Sequence, residues 1–190
     1  MKISLVRHGM PDADLSSSIR ARDFPAWLLA YDEAGIDRSL PPPDAVRRAL
    51  ASCRLLLTSP SRRAVESADA LDPRAERRIA IDAREAPLPT KIVWPLSHRP
   101  AVFTVIARVL WVLELARAKE DRQAVRRRAS SLADQLAALA CESGHVGLVG
   151  HGYMNIYLRK ALEATDWHSL ESGKHGYWSL SQFGKEKIEK

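Results

Sequence analysis

Cysteine is scarce in this chain: two residues, Cys53 and Cys141, in 190. Both sit beside apolar residues, in Ala-Ser-Cys-Arg-Leu-Leu-Leu and Leu-Ala-Cys-Glu, and neither falls in a metal-ligand spacing. A disulfide scaffold is not expected, since a chain of this size does not need one; the pair reads as reduced core thiols in a cytoplasmic protein. Long hydrophobic runs are missing as well. The strongest membrane candidate, Ala101 to Leu115, is interrupted by Arg108 and Glu114 and is shorter than the ~20 apolar residues a span requires. It reads as a buried helix, and no membrane association is expected. The first strand is expected to start at Lys2-Ile3, which leaves no room for the charged and apolar regions of a signal peptide. There is no zinc-finger or RNP-type signature, no internal repeat and no linker.

What is present is ordinary for a globular protein: 46% hydrophobic and 27% charged residues. The length suits one domain, residues 1–190, with a real core. The net charge is +6 and the sequence pI about 9.6, which fits nucleic-acid binding, attraction of anionic substrates or plain solubility. The densest basic cluster, Arg126-Arg127-Arg128, lies in the stretch Glu120 to Cys141, where Val125, Ala129, Leu132, Leu136 and Leu139 recur at helical spacing. The arginines are therefore expected on a solvated flank, and no nucleic-acid partner is expected.

The order of elements is α/β. Ile3 to Val6 reads as a buried strand, Arg20 to Gly35 as a helix and Asp44 to Ala51 as a short helix after Pro41-Pro42-Pro43. Leu55 to Thr58 is a second strand, followed by a helix from Arg62 to Leu71 with Ser59 as its expected cap and Pro60 in its first turn. Arg78 to Asp82 reads as a third strand. Pro87 to Pro100, with prolines at 87, 89, 95 and 100, is a long loop of the kind that is often functional. Helices follow over Ala101 to Arg117 and Glu120 to Cys141, then a fourth strand at His145 to Val149 and a helix at Tyr153 to Ala164. Tyr177 to Leu180 is a last candidate strand before a frayed tail, Gly184 to Lys190.

Apolar strands in this reading run into residues that carry chemistry: Arg7-His8-Gly9, Ser59-Pro60-Ser61-Arg62-Arg63-Ala64 and Gly150-His151-Gly152. If the strands are parallel, as βαβ crossovers favour, these ends meet on the carboxyl edge of the sheet, where open α/β folds bind ligands. That edge would hold two histidines and at least two arginines, a cluster that repels itself unless it holds an anion. Imidazole can attack phosphorus, and guanidinium is a planar fork for phosphate oxygens. The glycines at 9, 150 and 152 are expected to let a ligand approach the backbone closely.

On these motifs, in this order, the chain resembles the histidine phosphatase superfamily, also called phosphoglycerate mutase-like. The middle motif Arg84-Glu85-Ala86-Pro87-Leu88-Pro89 and the late Tyr177-Trp178-Ser179 strengthen the resemblance. It implies a three-layer α/β/α sandwich with a mostly parallel central sheet and a helical insertion at about 86–118. It further implies a metal-independent phosphomonoester hydrolase that needs no cofactor. His8 would be the nucleophile, forming a phosphohistidine. Arg7, Arg63 and His151 would bind the phosphoryl oxygens, with His151 also in the catalytic set. Glu85 would protonate the leaving alcohol and then activate water, partial burial under the proline-rich loop favouring the proton it must carry. Asp12 and Asp82 are rival acids, and Arg62 is read as solvated. The partner would be a small phosphorylated substrate, with phosphate or vanadate able to occupy the pocket.

Phosphoglycerate mutases follow Arg-His-Gly with Glu or Gln and place an Asn a few residues on. Here the sequence continues Met10-Pro11-Asp12-Ala13-Asp14, which weakens the mutase reading. Phosphotransfer, as in a mutase or a phosphohistidine-protein phosphatase, and a non-catalytic phosphate-binding module stay as alternatives. Specificity is expected from the segments Met10 to Phe24 and Pro87 to Pro100. Oligomeric state stays open, since Ala101 to Leu115 could also face a second subunit.

Overall fold

A computed structural model describes residues 1–71, 74–173 and 176–186. Its centre is a six-stranded sheet in the order β3-β2-β4-β1-β6-β5. Strands β1 (Lys2–Arg7), β2 (Leu55–Thr58), β3 (Glu76–Ile79) and β4 (His145–Gly150) are parallel; β6 (Leu180–Gly184) runs antiparallel to β1, and β5 (His168–Ser172) antiparallel to β6.

Side chains alternate across the central strands, and each set meets a different layer of helices. Leu5, Leu57 and Leu148 pack with Leu132 and Leu136 of α5 (Arg122–Ser143) and Leu158 of α6 (Gly152–Glu163). Val6, Leu56 and Val149 face the opposite way, onto Val46 and Leu50 of α2 (Asp44–Leu50) and Ala64 and Ala68 of α3 (Arg62–Leu71). Burial on both faces explains why β1, β2 and β4 read as continuous apolar runs rather than alternating ones. The expected three-layer α/β/α sandwich with a mostly parallel sheet is what forms. A third, smaller apolar cluster joins α1 (Phe24–Glu33) to α4 (Pro100–Val112) through Phe24, Phe103, Ala107 and Ile92.

Several expectations are corrected. The third strand lies at Glu76–Ile79, and residues 81–83 form a 3-10 turn. The last strand starts at Leu180, and β5 was not foreseen. The expected frayed tail begins inside β6, and residues 187–190 lie outside the described chain. Helix α4 stops at Val112, and only one stripe of it is buried: Phe103, Ala107 and Trp111 are inside, whereas Val105 is 62% exposed. Cys53 is buried, its thiol pushed up to about 12 chiefly by burial, but Cys141 is exposed. No helix among the described residues is long and apolar enough to cross a membrane.

Candidate active site

Strand register assembles the site. Val6 pairs with Val149, and Val149 with Thr58, so the next residues on all three strands arrive level at the carboxyl edge. The ladder continues one step past the strands, with His8 N–H donating to Gly150 O at 3.0 Å and Ser59 N–H to Val149 O at 3.0 Å. Arg7, His8, Ser59, Arg63, Glu85 and His151 all line one cavity of about 650 Å³. Neither rival acid does: Asp82 is exposed beside Arg84, and Asp12 lines a different depression. Arg62 is exposed and paired with Glu66, as read from the sequence.

His8 is buried, and its Nδ1 lies 2.7 Å from Gly9 O. A carbonyl oxygen only accepts, so Nδ1 carries the hydrogen and Nε2 presents a lone pair. Burial first, then the neighbouring His151 and Arg63, hold the His8 pKa well below its ordinary value, so the ring is neutral at neutral pH. His151 is buried edge-on to it, ring centroids 5.1 Å apart. Its Nε2 meets Ser59 Oγ at 2.8 Å and Ser61 Oγ at 3.3 Å. Burial, then Arg63 and Arg7, keep His151 neutral as well. Ser61, not Ser59, caps α3, accepting from Ala64 N–H at 3.4 Å; the Ser59 hydroxyl is spent on His151.

The arginines are set by aromatic faces that the sequence reading did not place in the site. Arg7 lies over Tyr177, 4.5 Å from the ring centroid, and Arg63 over Tyr31 at 4.9 Å. Among the described residues Arg7 Nε and Arg63 Nε are buried without a hydrogen-bond partner. The outer nitrogens of Arg63 are committed, donating to Tyr31 O at 3.0 Å and to the Asp32 carboxylate at 3.2 Å. Arg63 thus ties α1 to α3 besides facing the cavity.

The glycines at 9 and 152 also stand close against protein neighbours. A Cβ on Gly9 would stand 2.5 Å from the Trp178 ring, and one on Gly152 would stand 3.2 Å from the Arg7 guanidinium carbon. Trp178 itself holds a left-handed backbone at φ 58°. With Arg7 N–H donating to Ser179 O at 2.9 Å, this turn carries Tyr177 back over the strand end.

Glu85 follows the 3-10 turn at residues 81–83 and is half-buried. Its Oε1 accepts from Ala86 N–H at 2.9 Å and Met154 N–H at 2.8 Å, and its Oε2 from Tyr153 N–H at 3.1 Å. The carboxyl group is therefore pinned to the first turn of α6, directly after His151. Arg128 holds the turn from beneath, donating to Asp82 O at 2.6 Å, Arg84 O at 2.8 Å and the Glu120 carboxylate at 2.7 Å. Arg128 is buried, which corrects the solvated-flank reading for that residue. Its phase shows why: it falls three residues after Val125 and four before Leu132, on the buried stripe.

Lys91, Trp94, His98 and Arg99 of the long loop do not line the cavity. Its outer wall comes mainly from α1 and α4, with Leu15, Pro87 and Leu88 supplied by the two segments expected to set specificity. Among the described residues there is no cluster of three or more His, Cys, Asp or Glu placed to hold a metal ion.

No family model and no curated protein matches the sequence. Solved structures do match its fold. A mycobacterial hydrolase superposes with a TM-score of 0.64 at 22% identity, over 95% of this chain and 89% of that one. Mycobacterial glucosyl-3-phosphoglycerate phosphatase gives 0.58 at 22% identity, covering 95% and 88%. A histidine-to-alanine variant of phosphoserine phosphatase from Entamoeba histolytica, solved with phosphoserine, gives 0.59 at 13% identity, covering 95% and 89%. The chain has the phosphoglycerate mutase-like fold of these structures.

Proposed function

We propose that the chain is a phosphatase that hydrolyses phosphomonoesters through a phosphohistidine on His8. The observation that carries this reading is the orientation of His8: its Nδ1–H is fixed on Gly9 O, and its Nε2 lone pair stands among Arg7, Arg63 and His151 at the sheet edge. The named phosphatases that share the fold support the same chemistry, and one of them, the mycobacterial glucosyl-3-phosphoglycerate phosphatase, was solved with a vanadate group.

In the first step Nε2 attacks phosphorus, the bond to the ester oxygen breaks, and the departing alkoxide takes a proton from Glu85. Oε2 accepts a single backbone hydrogen bond, which leaves it a lone pair to carry that proton. In the second step Glu85 removes a proton from water, the resulting hydroxide attacks phosphorus, and the bond to Nε2 breaks to release phosphate and neutral His8. Arg7 and Arg63 match charge on the equatorial oxygens, which in phosphoryl transfer is most of what a protein supplies. His151, held by Ser59 and Ser61, presents its ring edge to the same group. On this reading residues 1–190 work as one histidine phosphatase-like domain, with about 86–118 as a helical insertion that walls the site.

Hydrolysis of p-nitrophenyl phosphate with EDTA present, beside His8→Ala, tests the proposal. Turnover that survives chelation, vanishes with His8→Ala and leaves acid-labile, base-stable phosphate on the wild-type protein after a quench is the expected result. Turnover retained in a folded His8→Ala protein would sink it.

A further inference from the structure

Beyond the phosphate-binding end, the cavity is walled by Leu15, Trp27, Leu28, Leu88 and Val105. Its volume of about 650 Å³ far exceeds a phosphate group and is in the range that takes a drug-sized organic molecule. The polar side chains that border this outer chamber each already hold a partner within the protein. The Trp27 indole N–H donates to Asp14 O at 2.9 Å, and the Thr104 hydroxyl to Pro100 O at 3.0 Å. Arg108 donates to Ala86 O at 2.9 Å and lies flat on Tyr153, 4.0 Å from its centroid. Arg84 is paired with Glu120, and Asp32 with Arg63. The Tyr31 hydroxyl faces Tyr177, and burial with that neighbour holds its pKa well above the ordinary value, so it stays a neutral phenol.

A substrate carrying a carboxylate, an ammonium group or many hydroxyls would give up water here for groups that already hold protein partners, and that desolvation is costly. An apolar substituent meets the opposite situation, since it covers apolar wall and displaces weakly held water. We infer that the preferred substrates are monophosphate esters of apolar alcohols, alkyl or aryl-alkyl, rather than of sugars, hydroxy acids or amino acids. This rests on the phosphatase reading above and deepens it: His8 and its neighbours supply the chemistry, and α1 and α4 select the alcohol.

Esters with alkyl leaving groups keep the chemical step comparable, so the comparison uses n-hexyl phosphate, 2-phenylethyl phosphate, O-phosphoserine and 3-phosphoglycerate. The kcat/KM of the first two is expected to exceed that of the last two by about tenfold or more, mostly through KM. Val105→Lys, at an exposed helix position that lines the chamber, is expected to narrow this ratio by about tenfold. Higher efficiency on phosphoserine or 3-phosphoglycerate, still lost with His8→Ala, overturns the apolar assignment and leaves the phosphatase standing. Calorimetric binding of n-hexylphosphonate beside 2-amino-4-phosphonobutyrate decides the case in which no ester turns over. Tighter hexylphosphonate then upholds the apolar chamber while the phosphatase reading falls, and equal or weaker binding overturns both.

Discussion

The Glu85 carboxylate accepts from the backbone N–H of Met154 at 2.8 Å, which fastens the candidate acid to the same helix start that carries His151. Removing its proton-transfer ability while keeping an acceptor separates a chemical role from a structural one. With Glu85→Gln, turnover of an alkyl phosphate is expected to fall by about 10² to 10⁴, the usual range for a lost general acid. p-Nitrophenyl phosphate behaves differently, because nitrophenolate departs without a proton. It should show a burst of nitrophenol followed by slow turnover, as phosphoenzyme waits for a base to activate water. A purely structural Glu85 would reduce both esters equally and give no burst.

Gly152 and Arg7 make a second pair. A Cβ at 152 would come 3.2 Å from the guanidinium carbon, tight enough to push Arg7 by a few tenths of an ångström. Gly152→Ala is expected to raise KM for any phosphomonoester by about tenfold with little change in Tm, since misplacing a charge-matching group costs binding and rate more than stability. Gly9→Ala should show the reverse emphasis. Its Cβ would stand 2.5 Å from the Trp178 ring, and overpacking of that kind costs about 1–3 kcal/mol of stability. Calorimetric Tm beside steady-state kinetics for both variants checks the contrast.

These two glycines also show what was readable in the sequence and what was not. That glycine stands beside each histidine was plain; that Trp178 and Arg7, distant in sequence, require it was not, because the requirement exists only after the strands pair. The buried strands β1, β2 and β4 were legible as short apolar runs between turn signals. The edge strands were not: β3 and β5 are exposed at every residue, reading Glu-Arg-Arg-Ile and His-Ser-Leu-Glu-Ser, so no hydrophobic pattern marks them. The strand-end motifs pointed to His8, Arg7, Arg63 and His151, and the resemblance added Glu85; all five line one cavity. Tyr31 and Arg108 escaped because a helix residue's approach to the site depends on how α1 and α4 lean over the sheet edge. Arg128 escaped because it hid in a basic run whose neighbours are solvated.

Arg128 yields a third prediction. It is buried and joins the 3-10 turn before Glu85 to the Glu120 carboxylate. Arg128→Met leaves Glu120 without its buried partner and two carbonyls without donors, a loss of about 3 kcal/mol or more. Adding Glu120→Leu should recover part of that stability. It should not restore kcat on alkyl esters, because the carbonyls of residues 82 and 84 still lack the anchor that sets Glu85. Recovery of kcat along with stability would show that Arg128 acts on the fold alone.

Acid should weaken the fold through histidines that are buried and neutral. His145, at the opposite end of the sheet from the cavity, has its pKa lowered to about 4, chiefly by burial and then by Lys2. Its ring nitrogens meet Ser4 Oγ at 2.9 Å and Ser52 Oγ at 2.9 Å, so it is satisfied without charge. His8 and His151 are also held well below the ordinary value, in both cases chiefly by burial. The unfolded chain titrates these rings near pH 6.5. Below that value it binds protons that the folded protein refuses, so stability falls as pH drops, at up to roughly 1.4 kcal/mol per pH unit for each ring. For His145 the loss runs from about pH 6.5 to about 4 and then levels off. For His8 and His151 the loss likewise sets in as pH falls through about 6.5, and above pH 7 none of the three contributes a slope. Urea unfolding between pH 5 and 8 should therefore show a steep fall below 6.5 in the wild-type protein. The fall should be shallower by about one ring's share in each of His8→Ala, His145→Asn and His151→Ala. A pH profile that stays parallel to wild type in all three variants would place the acid sensitivity elsewhere.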